Sequence, residues 1–338
     1  MNTEEIKNEL IFLRGKTIAI VYIFEGDNGS GFEHFFIWKS NIISLWLNAV
    51  QELNCYPLIL DVRTFVDKAI NNTLPHIDYV LNLNSGTYNL STMALVPSIC
   101  SSINVPCIPC CATTIVTGEH KELSNLIANS LGLKIPKNID KNMNNGIFRP
   151  INLGNSLGVE RRFNDRIKGI YQKFIEGYDI TTPIVYNPST ERMELLPTII
   201  YIPDCFDTNW YNGDIAKKTR SGYKFETVKL DEKLKAKYLE LVDVLSINSF
   251  CRIDARVKSN KINQKIKSVE FEDTYFIEIN VMPTIREYNN FVCSYNLLNE
   301  NSTYKNYFDA YNEIFDKKPS LNSFLLSNSM LSLKPSTK

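Results

Sequence analysis

Hydrophobic residues in the first quarter of the chain form short continuous runs separated by a longer amphipathic stretch. Residues 17–24 form an apolar run directly after Gly15, and residues 57–62 and 77–83 form two more. Runs of this length are typical of buried strands, whereas the spacing of apolar positions in residues 36–53 predicts a helix. The order strand, helix, strand predicts an α/β domain built on a parallel sheet.

The pattern changes twice further along the chain. Residues 119–131 have helical periodicity, and this helix is expected to end at Gly132. Residues 146–193 show short strand-like runs with glycine-containing turns, which predicts a second, smaller α+β module. A third module follows, with a strand at 198–202 and a helix at 231–247.

The remaining segments of the third module are a loop, a hairpin, a helix and a tail. Residues 204–227 are a long polar stretch that contains Lys217, and long loops inside compact domains are often lids. A solvated loop is the alternative. Residues 258–267 have the charge pattern of a solvated hairpin. Residues 304–315 predict a closing helix, and the serine-rich tail beyond Lys318 is expected to lie along the surface or to fray.

Composition narrows the class of protein. The 338 residues favour two or three domains, and 44% hydrophobic with 22% charged residues is typical of globular chains. Lys+Arg and Asp+Glu both number 37, so no net charge would attract nucleic acid or an anionic membrane. The first apolar run is too short to span a bilayer and no secretion signal is evident, so a cytoplasmic location is expected.

Cysteine usage is consistent with that location. The chain has eight cysteines, which are expected to be reduced thiols in the cytoplasm. Cys107, Cys110 and Cys111 are spaced closely enough to suggest a metal site. No matching Cys/His pair exists elsewhere, so buried thiols are favoured over zinc.

The strongest chemical signal lies in two short segments of the third module. Strand alternation places Arg252 and Asp254 on one face of a strand. It also places Glu278 and Asn280 on one face of a later strand. Side by side, these strands would bring a guanidinium and three oxygen ligands together, which suits Mg²⁺ with a phosphorylated ligand. Exposed strand faces with cross-strand ion pairs are the alternative.

Two segments of the second module are candidates for nucleotide binding. Arg149 precedes a small-residue loop in which Gly154 and Gly158 allow tight turns. Backbone amides and the Ser156 hydroxyl of such a loop can hold phosphate oxygens, although a plain hairpin is the alternative. Residues 173–179 form an apolar strand end with an acidic turn, which could hold a purine and its ribose or be an ordinary surface turn.

In their order along the chain, these segments resemble the ATP-grasp superfamily and, within it, the D-alanine–D-alanine ligase family. The likeness covers roughly Gly15 to Asn290. The family's lysine before the central domain falls on Lys121, eleven residues before the Gly-Leu-Lys-Ile-Pro segment at 132–136. It implies that ATP phosphates contact Lys121, Arg149, Gly154, Asn155 and Ser156, that adenine contacts Lys173, Phe174 and Ile175, and that the ribose contacts Asp179. It implies catalytic roles for Lys217 and Arg252, and Mg²⁺ or Mn²⁺ ligation by Asp254, Glu278 and Asn280.

The resemblance also implies a three-domain ATP-grasp architecture, with α/β and α+β parts. The expected domains are residues 1–112, 113–195 and 196–338, with ATP held between the second and the third. The implied reaction makes an acyl phosphate from one amino acid, which the amine of a second one then attacks. A homodimer is possible by the same resemblance.

The residues that would bind amino acids agree less well with that family. Thr284 stands where the family has a glycine whose amide helps to hold the oxyanion, and Asn289 and Asn290 replace a serine-leucine pair for the second substrate. Phe35 replaces the glutamate for the first ammonium, so Glu33 is the nearby candidate. We therefore expect an ATP-dependent ligase of amino acids or related amines whose acceptor is not D-alanine. The alternatives are a housekeeping D-alanine–D-alanine ligase, a non-catalytic ATP-binding paralogue and an ATP-grasp kinase.

Overall fold

The computed structural model describes residues 1–24, 38–86, 90–154, 156–203, 223–259, 266–285, 290–298 and 302–334. Its strands are β1 (Thr17–Tyr22), β2 (Tyr56–Asp61), β3 (Tyr79–Asn82), β4 (Cys107–Ile108), β5 (Gly146–Pro150), β6 (Gly169–Lys173), β7 (Gly177–Asn187), β8 (Arg192–Leu195), β9 (Thr198–Pro203), β10 (Tyr223–Leu230), β11 (Phe250–Lys258), β12 (Ser268–Val269) and β13 (Thr274–Asn280). Its helices are α1 (Thr3–Leu13), α2 (Ser40–Glu52), α3 (Val62–Ile70), α4 (Leu90–Met93), α5 (Leu95–Ser102), α6 (Ala112–Glu119), α7 (Lys121–Ser130), α8 (Glu232–Val244), α9 (Asn290–Asn296), α10 (Lys305–Phe315) and α11 (Leu321–Ser332). The described strands form three sheets, so the fold combines α/β and α+β parts as predicted.

The first sheet has the strand order β2-β1-β3-β4, and its strand pairs are parallel. Successive residues of β1 face opposite sides of this sheet. Ile18 and Ile20 lie in a hydrophobic cluster with residues of α1 and α2, whereas Ala19 and Val21 lie in another with residues of α3 and α5. Helices therefore cover both faces, which explains why the strands appear as continuous apolar runs in the sequence.

The second sheet is small and consists, among the described strands, of β5 and β6, which pair antiparallel. The segment between these strands folds back, so that Phe148 and Glu160 exchange two backbone hydrogen bonds. Val159 and Phe174 form a small hydrophobic cluster beside this sheet, with Ile147 packed against it. The β5–β6 sheet and this cluster form the small lobe.

The third sheet has the order β12-β10-β9-β7-β11-β13, and β8 pairs with β7 outside this path. Residues of α6, α7 and α8 share a hydrophobic cluster with its central strands. Asp231 caps α8, because its carboxylate accepts a hydrogen bond from the backbone N–H of Leu234 at 2.6 Å. The predicted domain boundary at residue 195 falls between β8 and β9 of this sheet, and the division into domains stays a prediction.

The C-terminal tail does not lie on the surface, and the prediction that it would wrap the surface or fray was wrong. It forms α11, in which all residues from 321 to 330 are buried. The Ser327 hydroxyl donates to Ser323 O at 2.7 Å, and the Ser329 hydroxyl donates to Leu325 O at 2.6 Å. Because these hydroxyls are satisfied within the helix, a serine-rich segment can be buried.

Other segments also differ from the sequence-based expectation. Residues 223–227 belong to β10 rather than to the predicted lid loop, and residues 204–222 of that loop lie outside the described residues. Most of the predicted hairpin, residues 260–265, also lies outside them. Helix α1 was not predicted, although Asn2 and Glu5 form a capping box at its start. Among the described helices, none has the length and apolar character that a membrane crossing requires.

Candidate functional site

Three adjacent strands of the large sheet bring polar side chains together. β11 pairs antiparallel with β7 on one side and with β13 on the other. Asp254 lies opposite Glu278 on β13 and opposite Thr181 on β7. Arg252 lies opposite Asn280. The two segments that the sequence singled out are therefore direct neighbours in the sheet.

Asp254 is held by side chains from all three strands. Its Oδ1 accepts hydrogen bonds from Thr181 Oγ1 at 2.6 Å and from Arg252 Nε at 2.9 Å. Its Oδ2 accepts from Arg252 Nη2 at 2.7 Å and from Asn280 Nδ2 at 2.8 Å. Because Asn280 uses its amide nitrogen here, its amide oxygen is the atom available as a ligand.

Glu278 is held by two basic side chains, one from α7 and one from β5. Arg149 Nη2 donates to its Oε2 at 2.9 Å, and Lys121 Nζ lies 3.6 Å from the same oxygen. Arg149 Nη1 also donates to Ile277 O at 2.9 Å, and Lys121 Nζ donates to Leu153 O at 2.7 Å. These contacts place β5, the start of α7 and the small-residue loop beside the carboxylate of Glu278.

Burial and neighbouring charges shift the pKa values of this group of residues. Burial alone would raise the pKa of Glu278, but the cations around it lower that pKa to about 2. Burial lowers the pKa of Lys121, despite the attraction of Glu278. Burial raises the pKa of Asp254, although Arg252 opposes the rise. An added cation would therefore favour the ionised form of Asp254.

The small-residue loop has a tight backbone conformation. Leu157 N donates to Gly154 O at 3.0 Å, and both Ser156 (φ 56°) and Gly158 (φ 67°) lie in the left-handed region. A Cβ atom on Gly158 would lie 2.8 Å from the side chain of Pro150, so the turn there requires glycine. The Ser156 hydroxyl donates to no other described residue, which leaves it available to a ligand.

The predicted adenosine segment connects the small sheet to the large one. Lys173 ends β6, and Phe174 and Ile175 follow as buried residues between the two sheets. The backbone N–H of Ile175 donates to no group in the described part of the chain. Asp179 lies on β7 and accepts a hydrogen bond from Arg256 Nη1 at 2.7 Å, so the predicted ribose ligand already has an internal partner.

Several predicted site residues cannot be compared with these contacts. Glu33, Asn155, Lys217 and Asn289 lie outside the described residues, as does the side chain of Asn290 at the start of α9. Thr284 is described and follows β13, four residues after Asn280. The roles of all these residues stay predictions.

The structure adds four residues that the sequence analysis did not identify, namely Glu119, Gln172, Thr181 and Arg256. Glu119 accepts from Val281 N at 3.3 Å, and burial raises its pKa to about 7 although Lys121 opposes the rise. Gln172 accepts from Arg149 Nη1 at 3.4 Å. Strand alternation could have indicated two of the four, because Thr181 and Arg256 lie two residues from Asp179 and Asp254 on their strands.

The donor set fits a hard divalent cation. No three His, Cys, Asp or Glu side chains are grouped to hold a metal ion anywhere in the described ranges. The group on β11 and β13 instead offers two carboxylates, Asp254 and Glu278, and the amide oxygen of Asn280. These oxygen ligands suit Mg²⁺ or Mn²⁺, and the absence of nitrogen or sulfur donors disfavours zinc.

Comparisons with known proteins identify the fold. No protein-family model matches the chain, and no curated protein sequence matches it significantly. D-alanine–D-alanine ligase from Bacillus anthracis, in complex with ATP, matches with a TM-score of 0.59 at 15% identity, over 90% of this chain and 99% of that one. D-alanyl-alanine synthetase A from Vibrio cholerae O1 biovar eltor str. N16961 has a TM-score of 0.58 at 14% identity, with 90% and 99% coverage. VanG D-Ala:D-Ser ligase from Enterococcus faecalis has a TM-score of 0.57 at 11% identity, with 89% and 100% coverage. The chain therefore has the ATP-grasp fold of the D-alanine–D-alanine ligases.

Proposed function

We propose that this protein is an ADP-forming, ATP-dependent carboxylate–amine ligase. It would join two amino acids, or an amino acid and a related amine, through an acyl-phosphate intermediate. The observation that carries the proposal is the pairing of β11 with β13, which gathers Asp254, Glu278 and Asn280 among three basic side chains. The structures with this fold support it, since they are named as ligases or synthetases and one of them holds ATP.

The basic side chains of the site suit a polyanionic substrate. A carboxylate that attacks a triphosphate meets electrostatic repulsion, which fixed cations reduce at no cost in reorganisation. Lys121 and Arg149 would hold ATP phosphates, and Arg252 would stabilise the phosphoryl group as it is transferred. Mg²⁺ held by the two carboxylates and the amide would neutralise phosphate charge when bound.

The segment between the sheets supports an adenine nucleotide in particular. A backbone N–H such as that of Ile175 can donate to a ring nitrogen of the base, and Phe174 can pack beside a flat ring. The Asp179 carboxylate, which accepts from Arg256, would also accept from ribose hydroxyls. The nucleotide would then lie between the small and the large sheet.

The amino-acid substrates are inferred from the departures in sequence. Thr284 would narrow the space beside the reacting carbonyl while its amide could still donate to the oxyanion, and Lys217 would lie in a loop that covers the phosphates. Glu33, Asn289 and Asn290 would contact the amino acids. We infer an acceptor other than D-alanine, in a cytoplasmic enzyme that could form a homodimer.

The proposal is tested by following phosphate release from ATP and Mg²⁺ with pairs of D- and L-amino acids. Release should require one specific pair, and mass spectrometry should find the two amino acids joined with loss of water. Asp254→Asn and Glu278→Gln should each lower the rate by about a hundredfold or more, because each removes a carboxylate from the cation. Glu232→Gln is the matched control, since its side chain is 89% exposed on α8 and should leave the rate unchanged.

The other outcomes separate the alternatives. Release with D-alanine alone would assign the housekeeping reaction and refute the inferred acceptor. A phosphorylated product in place of an amide would indicate a kinase. Tight ATP binding without turnover on any pair would indicate a non-catalytic nucleotide-binding protein.

A further inference from the structure

Arg256 is a buried arginine whose guanidinium contacts the segment between the two sheets. It is 3% exposed and lies near the end of β11, opposite Asp179 on β7. Its Nη1 donates to Asp179 Oδ1 at 2.7 Å, and its Nη2 donates to Gly177 O at 3.0 Å. Its Nε donates to Ile175 O. The Arg256 side chain therefore donates hydrogen bonds to three acceptors within five consecutive residues.

The same guanidinium also contacts the aromatic residue of this segment. The Arg256 guanidinium carbon lies 4.5 Å from the centre of the Phe174 ring, and that of Arg161 lies 3.5 Å from it. A guanidinium over an aromatic face is attracted by the ring quadrupole, and more strongly when both are desolvated. Phe174 is 4% exposed, so its contact with Arg256 joins the small lobe to β11 away from solvent.

The backbone at Gly177 lies in close contact with β11. Gly177 has a φ of +144°, and a Cβ atom there would lie 1.9 Å from Val257 O. The backbone of Gly177 therefore packs directly against β11 at the residue whose carbonyl accepts from Arg256. Three acceptors in a fixed arrangement match the planar donors of arginine, whereas the single ammonium of lysine could not reach them together.

We propose that Arg256 is a positioning residue of the nucleotide site, which fixes residues 174–179 so that they can read the adenosine part of ATP. The inference rests on the proposed function, because these residues are the ones assigned to the base and ribose. Arg256 itself need not touch the nucleotide. It orients the Asp179 carboxylate. It also holds the Ile175 carbonyl, which fixes the backbone of the residue whose N–H is assigned to the base.

The test compares the binding of ATP and of 2′-deoxy-ATP, both with Mg²⁺, by calorimetry. In the unmodified protein, ATP should bind more tightly because Asp179 accepts from the ribose hydroxyls. Arg256→Met should raise the Kd for ATP by about tenfold, the size expected when a charge-assisted hydrogen bond loses its orientation. It should also bring the ratio of the two Kd values close to one, which a general loss of stability would not do.

Two variants serve as controls. Arg256→Lys keeps the charge but can reach only part of the acceptor set, so its Kd and its ATP preference should lie between those of Arg256→Met and the unmodified protein. It also provides the measurement should Arg256→Met fail to fold. Arg192→Met removes an exposed arginine from β8, which pairs with the far end of β7, and should change neither quantity.

The outcomes distinguish this inference from the proposed function. If the unmodified protein binds no ATP, the proposed function fails and the inference fails with it. If it binds ATP and turns it over, but the Arg256 variants keep its affinity and its ATP preference, only the inference is refuted. A raised KM for ATP with a nearly unchanged kcat in these variants would support it.

Discussion

Phe324 provides a test of whether α11 belongs to the core. Its side chain is 0% exposed and is surrounded by four aromatic rings from α9 and the start of α10. The ring centres lie 5.1 Å from Tyr295, 5.1 Å from Tyr304, 5.5 Å from Tyr307 and 5.6 Å from Phe308. The helix that the sequence composition suggested would fray is thus packed against the largest side chains of its neighbours.

The change Phe324→Ala should be strongly destabilising. Truncating a buried phenylalanine costs about 3–5 kcal/mol, because burial energy is lost and a cavity remains. Four rigid rings limit how far the site can collapse, and their edge and stacking contacts are lost too, so we expect about 4 kcal/mol. Since the m-value grows with the surface exposed on unfolding, a chain of 338 residues should have a urea m-value of about 4 kcal/mol/M, and the midpoint of unfolding should fall by about 1 M.

Urea unfolding followed by tryptophan fluorescence measures this change directly. Trp38 and Trp46 are both buried and lie in the same hydrophobic cluster as Phe324, so their emission reports on that core. Leu126→Ala is the control, because Leu126 is 59% exposed on α7 and its loss should change the free energy of unfolding by less than about 0.5 kcal/mol. A loss below about 1 kcal/mol for Phe324→Ala would refute the packing of α11 described above.

Three further predictions follow from single residues. Gly177→Ala should lower the melting temperature more than Gly15→Ala, because both have positive φ but only the Cβ at 177 would meet a backbone oxygen; equal effects would contradict this. Burial raises the pKa of Glu119 from its ordinary 4.5 to about 7, so the folded protein binds this proton more tightly and loses stability as pH rises through that range. The stability of Glu119→Gln relative to the unmodified protein, measured by thermal unfolding with EDTA, should therefore be higher at pH 8 than at pH 5. A stability difference between the two proteins that does not change with pH would refute this. Arg149→Lys should raise the Kd for ATP, because a lysine cannot bond to Ile277 O and Glu278 at once, but by less than Arg149→Met, because it keeps the charge. Equal Kd values for both variants, measured by calorimetry, would argue against phosphate binding by Arg149.

Local sequence patterns predicted the strands and helices whose burial follows one regular pattern along the whole element. The strand β1 is covered on both faces, so its apolar run was visible in the sequence, and α10 showed its amphipathic spacing. Alternation also indicated which residues of β11 and β13 share a face. The sequence could not show that these strands are hydrogen-bonded neighbours, because that depends on the packing of the whole sheet.

Long-range pairing explains what the sequence did not reveal. Arg256 and Asp179 are 77 residues apart, and neither residue type indicates the other. The error about α11 has a different cause. Serine is common in exposed and frayed segments, but its hydroxyl can also bond to a carbonyl one turn earlier, and only the surrounding helices decide whether that turn is buried.

The site's internal ion pairs are themselves an argument for a ligand that carries both kinds of charge. Lys121 is 6% exposed and Arg149 is 5% exposed, and each would be costly to leave without a partner in this environment. The same holds for the carboxylates of Asp254 and Glu278. A purely anionic ligand would attract the basic groups and leave the carboxylates without partners. A lone cation would attract the carboxylates and leave the basic groups without partners. A nucleotide triphosphate bound with Mg²⁺ avoids both costs, because each side chain exchanges one opposite charge for another.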